Sequence, residues 1–298
     1  MPSPTDFNLS PYYDDFNESK KFHRILFRPS FAVQARELTQ SQSILQNQVE
    51  RISDHLFEKG AMVIPGEIGY DLNYYSVKLT SFTDSAAVGV TLSDFVGLRL
   101  TGQTSGVIAK VINTDATDGT DPNTLYVKYE TSGTNGAETK FTHGETISVA
   151  TTLSGTSTTV SAVVNTCQTG AAAYIGAGVY YINGFHVSVA EQTVILDKYT
   201  NTPSYRVGLT VTESFVTPND DTSLNDNATG TSNVNAPGAH RFKIDLTLAK
   251  KTLTAVDDNN FVELLRLKNG IIQNQVRTTE YAVLEDTLAR RTFDESGD

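Results

Sequence analysis

Residues 33–59 contain neither glycine nor proline, and the run stops at Gly60, directly after Lys59. An uninterrupted stretch of that length with a glycine stop predicts one long helix over 33–60. Within it Leu38, Leu45, Val49, Ile52 and Leu56 recur at spacings of 7, 4, 3 and 4, and Gln42 fills the vacant slot. That is the a/d rhythm of a heptad seam. Gln46, Asn47, Glu50, Arg51 and Asp54 take the opposite face. A helix this short is marginal alone, so the seam needs either a partner helix in a short coiled coil or a core within its own chain. The periodicity is compatible with both.

The residues before the helix cannot extend it. Residues 1–32 are punctuated by Pro2, Pro4, Pro11 and Pro29, which break helices. They also carry Phe7, Tyr12, Tyr13, Phe16, Phe22, Phe27 and Phe31. Prolines with frequent aromatics predict an extended arm that lays its rings on a surface. That surface belongs either to another protein or to this chain.

After Gly60 the pattern turns to β. Residues 61–64 lead into the Pro65-Gly66 turn, and 74–79 alternate weakly. Residues 85–165 read as an inserted β module, with short strands over 88–92, 97–100, 106–112, 124–129 and 145–149 between loops of Asp, Thr, Gly, Ser and Asn. Strands that short and that closely spaced predict a small barrel or sandwich. Residues 179–189 form a hairpin around Asn183-Gly184, the dipeptide that supplies both positive φ angles of a type I′ turn. Strands follow over 193–196, 205–211 and 241–248, with a polar loop over 217–240. Residues 261–267 read as a strand or short helix, Asn269-Gly270 as a turn, and 281–291 as helical. The expected fold is mainly β with an N-terminal α-helix. Its parts are an arm over 1–32, the helix over 33–60, a main β domain over 61–84 and 166–298, and the module over 85–165.

Composition then excludes several classes of function. The chain has 298 residues, 39% of them hydrophobic, which is enough for sizeable cores. The formal net charge of −11 repels phosphate backbones, so no nucleic-acid partner is expected. A single cysteine, Cys167, rules out an internal disulfide and a cysteine-rich zinc site, and its flank shows no nucleophile signature. No secretion signal and no membrane-length apolar run stand out, so membrane insertion is not expected.

No constellation supports catalysis. His23, His55, His143, His186 and His240 share no metal-ligand spacing. Asp115, Asp118 and Asp121, like Asp220, Asp221, Asn225, Asp226 and Asn227, offer oxygen for a hard cation but lack the EF-hand spacing and its closing Glu. They read as solvated turns. Gly176-Ala177-Gly178 lacks the third glycine of a dinucleotide fingerprint and precedes a hairpin instead of a helix. Walker and G-x-S-x-G motifs are absent. The expectation is no enzyme, with no catalytic residues, metal or cofactor.

Several blocks carry a resemblance. They are NLSPYYDDF (8–16), FRP (27–29), AVQARELTQ (32–40), ILQNQ (44–48), MVIPG (62–66), ILDKYTNTPSYR (195–206) and LEDTLARRTFDESGD (284–298). In that order they resemble a family of uncharacterised virion structural proteins of tailed phages, notably cyanophages with contractile tails. The similarity spans most of the chain and is weakest over 85–165. The resemblance implies a baseplate or tail-fibre attachment protein, localised to the phage tail and assembled in the host cytoplasm. It implies protein partners from the same apparatus, a homo-oligomer with the trimer favoured, and no catalytic residues. It also implies that this chain is an N-terminal portion of a longer protein.

The residues expected at the assembly interface are Leu38, Gln42, Leu45, Val49, Ile52 and Leu56 on the helix, with Tyr12, Tyr13 and Phe16 on the arm. Two alternatives stand beside this one. The first is a carbohydrate-binding adhesin module of a tail fibre, and the second a polysaccharide depolymerase spike. The absence of Trp, a favoured flat contact residue, weighs against both.

Overall fold

The computed structural model describes residues 4–64, 66–82, 91–134, 136–153, 156–227, 230, 234–255, 259–276 and 282–297. In chain order the described elements are α1 (Ala35–Leu56), β1 (Met62–Ile64), β2 (Ile68–Phe82), β3 (Arg99–Gly102), β4 (Ile108–Asp115), β5 (Thr124–Thr131), β6 (Thr146–Leu153) and β7 (Thr156–Ile175). Then come β8 (Gly178–Ile182), β9 (Phe185–Val189), β10 (Gln192–Asp197), β11 (Tyr205–Val216), β12 (Arg241–Thr252), β13 (Phe261–Lys268), β14 (Ile271–Gln275) and α2 (Ala282–Ser296). The chain is mainly β with an N-terminal helix, as its sequence pattern requires.

Two long antiparallel strands organise these elements. β2 and β7 lie side by side from Ile68 opposite Ile175 to Phe82 opposite Ala162. On its other edge β7 changes partner along its length. Its first part pairs with β6, from Thr146 opposite Val163 to Leu153 opposite Thr156. Its last part pairs with β10, from Gln192 opposite Ile175. Because β7 bonds to both β2 and β6, the order β7-β2-β5-β4-β3-β6 closes on itself as a six-stranded barrel. Closure removes the unpaired edges that an open sheet of this size exposes.

The barrel has its own core. Val77, Leu79, Leu100, Val107, Ala109, Val111, Leu125, Val127, Ile147, Val160, Ala162 and Val164 fill it. The 3-10 turn Leu92–Phe95 packs against this core and places Phe95 fully inside it. A second core lies beyond it, where the three-stranded sheet β1-β8-β9 and the ends of β2, β7 and β10 meet the four-stranded sheet β12-β11-β13-β14. Met62, Ile68, Ile175, Tyr180, Ile182, Leu196, Val207, Leu209, Leu264, Leu265 and Leu267 pack there. On β11 Arg206, Val207, Gly208 and Leu209 are all buried, so the strand is covered on both faces there.

The expected boundaries of the inserted module move. The barrel core begins at Val77, inside β2, and ends at Val164, inside β7, rather than spanning 85–165. The physical reason is that β2 and β7 continue through both cores, so neither strand starts or stops at the border. Of the expected strand over 88–92, residues 88–90 lie outside the described residues, and Leu92 opens the 3-10 turn instead. Residues 261–267 are strand, within β13. Both Asn-Gly turns form as expected, with φ of 49° and 86° at Asn183 and Gly184, and 51° and 76° at Asn269 and Gly270.

Candidate assembly surface

The start of α1 is fixed by Glu37, whose carboxylate accepts the Gln34 N–H at 2.8 Å. The helix ends short of the expected Gly60 stop, at the extended Phe57, whose N–H reaches Ser53 O at 2.8 Å. Gly60 turns the chain three residues later with φ of +89°, and a Cβ there would collide with Val262, so glycine is required at that turn by φ and by space alike.

One flank of the helix rests on the β8–β9 hairpin. Gln46 donates to Gly184 O at 2.6 Å. The Tyr181 hydroxyl donates to Asp54 Oδ1 at 2.7 Å and to Glu50 O at 3.3 Å. Burial, then the neighbouring Asp54 carboxylate, raises the Tyr181 phenol above its usual range, so it remains a donor. Ser53 is buried 3.5 Å from His186 Nε2, and the Phe57 ring stands edge-on to the same imidazole.

The arm covers the other flank. Gln40 donates to Asp15 O at 3.0 Å and Asp14 O at 3.3 Å, and Ser43 donates to the buried Asp14 carboxylate. Arg51 pairs with Glu18. Ile44, 4% exposed, closes a small recess together with Phe16, Phe22 and His23.

The helix is thus held to its own chain by its polar faces and by Ile44, and the apolar seam points outward. Leu38 is 52% exposed, Leu45 67%, Val49 45% and Ile52 65%. Gln42 is exposed and Leu56 half-buried. Of the two homes the periodicity allowed, the core of the same chain is not used. α2 runs beside α1, yet its described side chains are all exposed and the seam stays open.

The arm divides in two. Its first half docks on the chain itself: the Phe7 ring meets Phe242 at 5.1 Å and Phe215 at 6.1 Å. The Tyr12 ring lies tilted at 5.1 Å from Phe215, and its hydroxyl lies 3.0 Å from His240 Nδ1. Phe215 and Phe242 are directly opposed on β11 and β12 and form the landing site. Tyr12 and Phe16, expected at an interface with another protein, are therefore half-buried within this chain, while Tyr13 is 60% exposed. The second half of the arm leaves Phe22, Leu26, Phe27, Phe31 and Val33 each more than half exposed. Sequence reasoning missed the Phe215–Phe242 pair. Its signal was an aromatic at the outer end of each of two adjacent strands.

The oxygen-rich loops are occupied by the chain's own groups. Asp121 accepts from Tyr199 at 2.6 Å and pairs with Lys78 at 2.9 Å, and those bonds hold its carboxyl below the usual range. Asp115 pairs with Lys198 at 2.5 Å. Asp118 accepts the N–H groups of Thr120 and Asp121. Asp220 caps Thr217, and Asp221 caps Ser223. Among the described residues no group of three or more His, Cys, Asp and Glu side chains is placed to hold a metal ion. Burial pushes the Cys167 thiol up, away from thiolate reactivity. No helix among the described residues is long and apolar enough to cross a membrane.

What fold and surface define is a barrel-and-sandwich protein that carries a helix with its apolar seam turned to solvent. Residues 10–82 and 115–298 match a domain family of unknown function, DUF4815, and the chain belongs to that family. Residues 1–9 and an internal stretch, 83–114, lie outside the match, and the latter contains the 3-10 turn Leu92–Phe95, β3 and most of β4. No curated protein and no solved structure matches the chain.

Proposed function

We propose that this protein is a structural component of a tailed-phage virion, in the baseplate or tail-fibre attachment region, and that it acts by protein–protein assembly. The observation that carries the assembly part is the open seam on α1, continuous in sequence with the exposed apolar residues of the arm from Phe22 to Val33. Scattered exposed apolar residues are ordinary, whereas a contiguous band of them marks an interaction surface. The virion part rests on the sequence resemblance, which favours three copies and neighbours from the same apparatus. In this reading the protein has no catalytic role and no cofactor, and it binds neither nucleic acid nor membrane.

Mass spectrometry of purified tail particles, followed by placement of the chain in a map of the particle, tests the reading. The expected result is a fixed stoichiometry and a position at the baseplate or fibre root. Absence from the particle overturns it. Binding on a glycan array would favour the adhesin reading, and turnover in a polysaccharide depolymerase screen the spike.

A further inference from the structure

In heptad terms Leu38, Leu45 and Ile52 occupy d positions of α1, and Gln42, Val49 and Leu56 occupy a positions. The residues beside the seam are Thr39, Gln46 and Ser53 on the e flank, and Ser41, Gln48 and His55 on the g flank. No Asp, Glu, Lys or Arg stands at either flank. Arg36, Glu37, Glu50, Arg51 and Asp54 are all at b, c and f positions, away from the seam. Two identical helices therefore meet along it without like-charge repulsion between their flanks. The hairpin contacts at Gln46 and Ser53 and the arm contacts at Gln40 and Ser43 hold the helix in place, so little further ordering is needed for the seam to bind.

Gln42 selects the direction. In a parallel, in-register pair Gln42 faces Gln42, and the two amides bond to each other inside an otherwise apolar layer. In an antiparallel pair centred on the seam, Gln42 faces Ile52 and its amide is buried with no partner, a cost that the parallel pair avoids. We infer that the seam is filled by α1 of another copy of this chain, parallel and in register; this rests on the assembly reading above and names its partner. Parallel register has a consequence for the arms. It gathers the exposed segments 22–33 of all copies at the same end of the helices, as one composite apolar surface around the symmetry axis.

The test uses the full chain. In a Cys167→Ser background, Gln42→Cys and Ile52→Cys are made separately and oxidised mildly. Each is expected to cross-link to itself, because parallel register brings like positions together. Cross-linking only between the two variants when mixed, and never within one, overturns the parallel arrangement. In parallel, Val49→Asp with Ile52→Asp is expected to give a monomer by light scattering at concentrations where the unmodified chain is oligomeric. Its circular dichroism is expected to stay that of the folded chain, since both side chains are exposed in the single chain, and its melting is expected to lose any dependence on protein concentration. A double variant that loses its fold, or an unmodified chain that stays monomeric at tens of micromolar, overturns the inference. If that monomeric chain is still found at fixed stoichiometry in tail particles, the assembly reading survives without it. If the chain cross-links to itself but is absent from particles, the seam survives and the virion reading falls.

Discussion

Glu145 ties two loops of the barrel together, and replacing it gives the sharpest test of how the barrel is held. Its carboxylate is 3% exposed and accepts four hydrogen bonds. The donors are Thr104 N at 3.2 Å, Ser105 N at 3.0 Å, Ser105 Oγ at 3.1 Å and Thr142 N at 2.5 Å. These bonds tie the loop between β3 and β4 to the turn that enters β6, beside the β3–β6 pairing. A hydrogen bond to a charged acceptor nets about 1.5–3 kcal/mol, so four would nominally give about 6–12 kcal/mol. Burying the carboxylate costs several kcal/mol, on the order of half that gain. Thr104 is exposed, so water reaches part of the vacated site in Glu145→Ala. The expected net loss is about 3 kcal/mol, which lowers the melting temperature by roughly 6–12 °C for a cooperative unit of about 150–250 residues. Glu145→Gln keeps one acceptor oxygen but turns an amide N–H₂ toward backbone donors, so it should recover little. Calorimetry reads the shift, and amide exchange at Thr104, Ser105 and Thr142 localises it. A Glu145→Ala variant that melts within about 2 °C of the unmodified chain, less than about 1 kcal/mol, would refute this account of how the barrel is held.

Three further outcomes follow from the described contacts. Burial raises the Asp14 carboxyl above its ordinary 3.8, with the Ser43 hydroxyl opposing and Asp15 adding to the rise. Its neutral form therefore favours the docked arm: that stability is full below pH 3.8 and is lost as pH rises through the folded value. Proteolysis of the arm should slow on acidification, and Asp14→Asn should flatten that dependence. For Glu263, burial pushes its carboxyl upward, but hydrogen bonds from Arg266 at 2.6 Å and Arg206 at 2.5 Å outweigh it and hold it below its ordinary 4.5. That contribution has the opposite sign, present above pH 4.5 and lost as pH falls through the folded value. Glu263→Gln, which leaves the buried Arg206 without its carboxylate, should cost about 3–5 kcal/mol in denaturant unfolding at neutral pH. Tyr181→Phe removes the bond to Asp54 and should cost about 1 kcal/mol, seen as faster amide exchange near the C-terminal end of α1 with the barrel unaffected.

The sequence by itself determined whatever depends on local chemistry. The helix over 33–60 was legible from the absence of Gly and Pro and from the seam periodicity, and α1 spans Ala35–Leu56, ending at the extended Phe57 rather than at the Gly60 stop. The two Asn-Gly hairpin turns were legible because few other dipeptides accept two positive φ angles. β7 was not. Its Thr, Ser, Ala and Gly carry weak apolar contrast, and only pairing with β2, β6 and β10 makes twenty such residues a strand. The barrel boundary was illegible for the same reason: a shared strand has no end at the border between two cores. The seam residues were found in sequence, but a heptad reads the same whether its face meets its own core or another chain. Tertiary structure decided that question for the single chain. Gln46, Ser53 and Tyr181 on one side, and Asp14 with Gln40 and Ser43 on the other, satisfy polar groups that would be costly to leave buried and unbonded. Holding the helix by these polar flanks and by Ile44 leaves Leu38, Leu45, Val49 and Ile52 facing water.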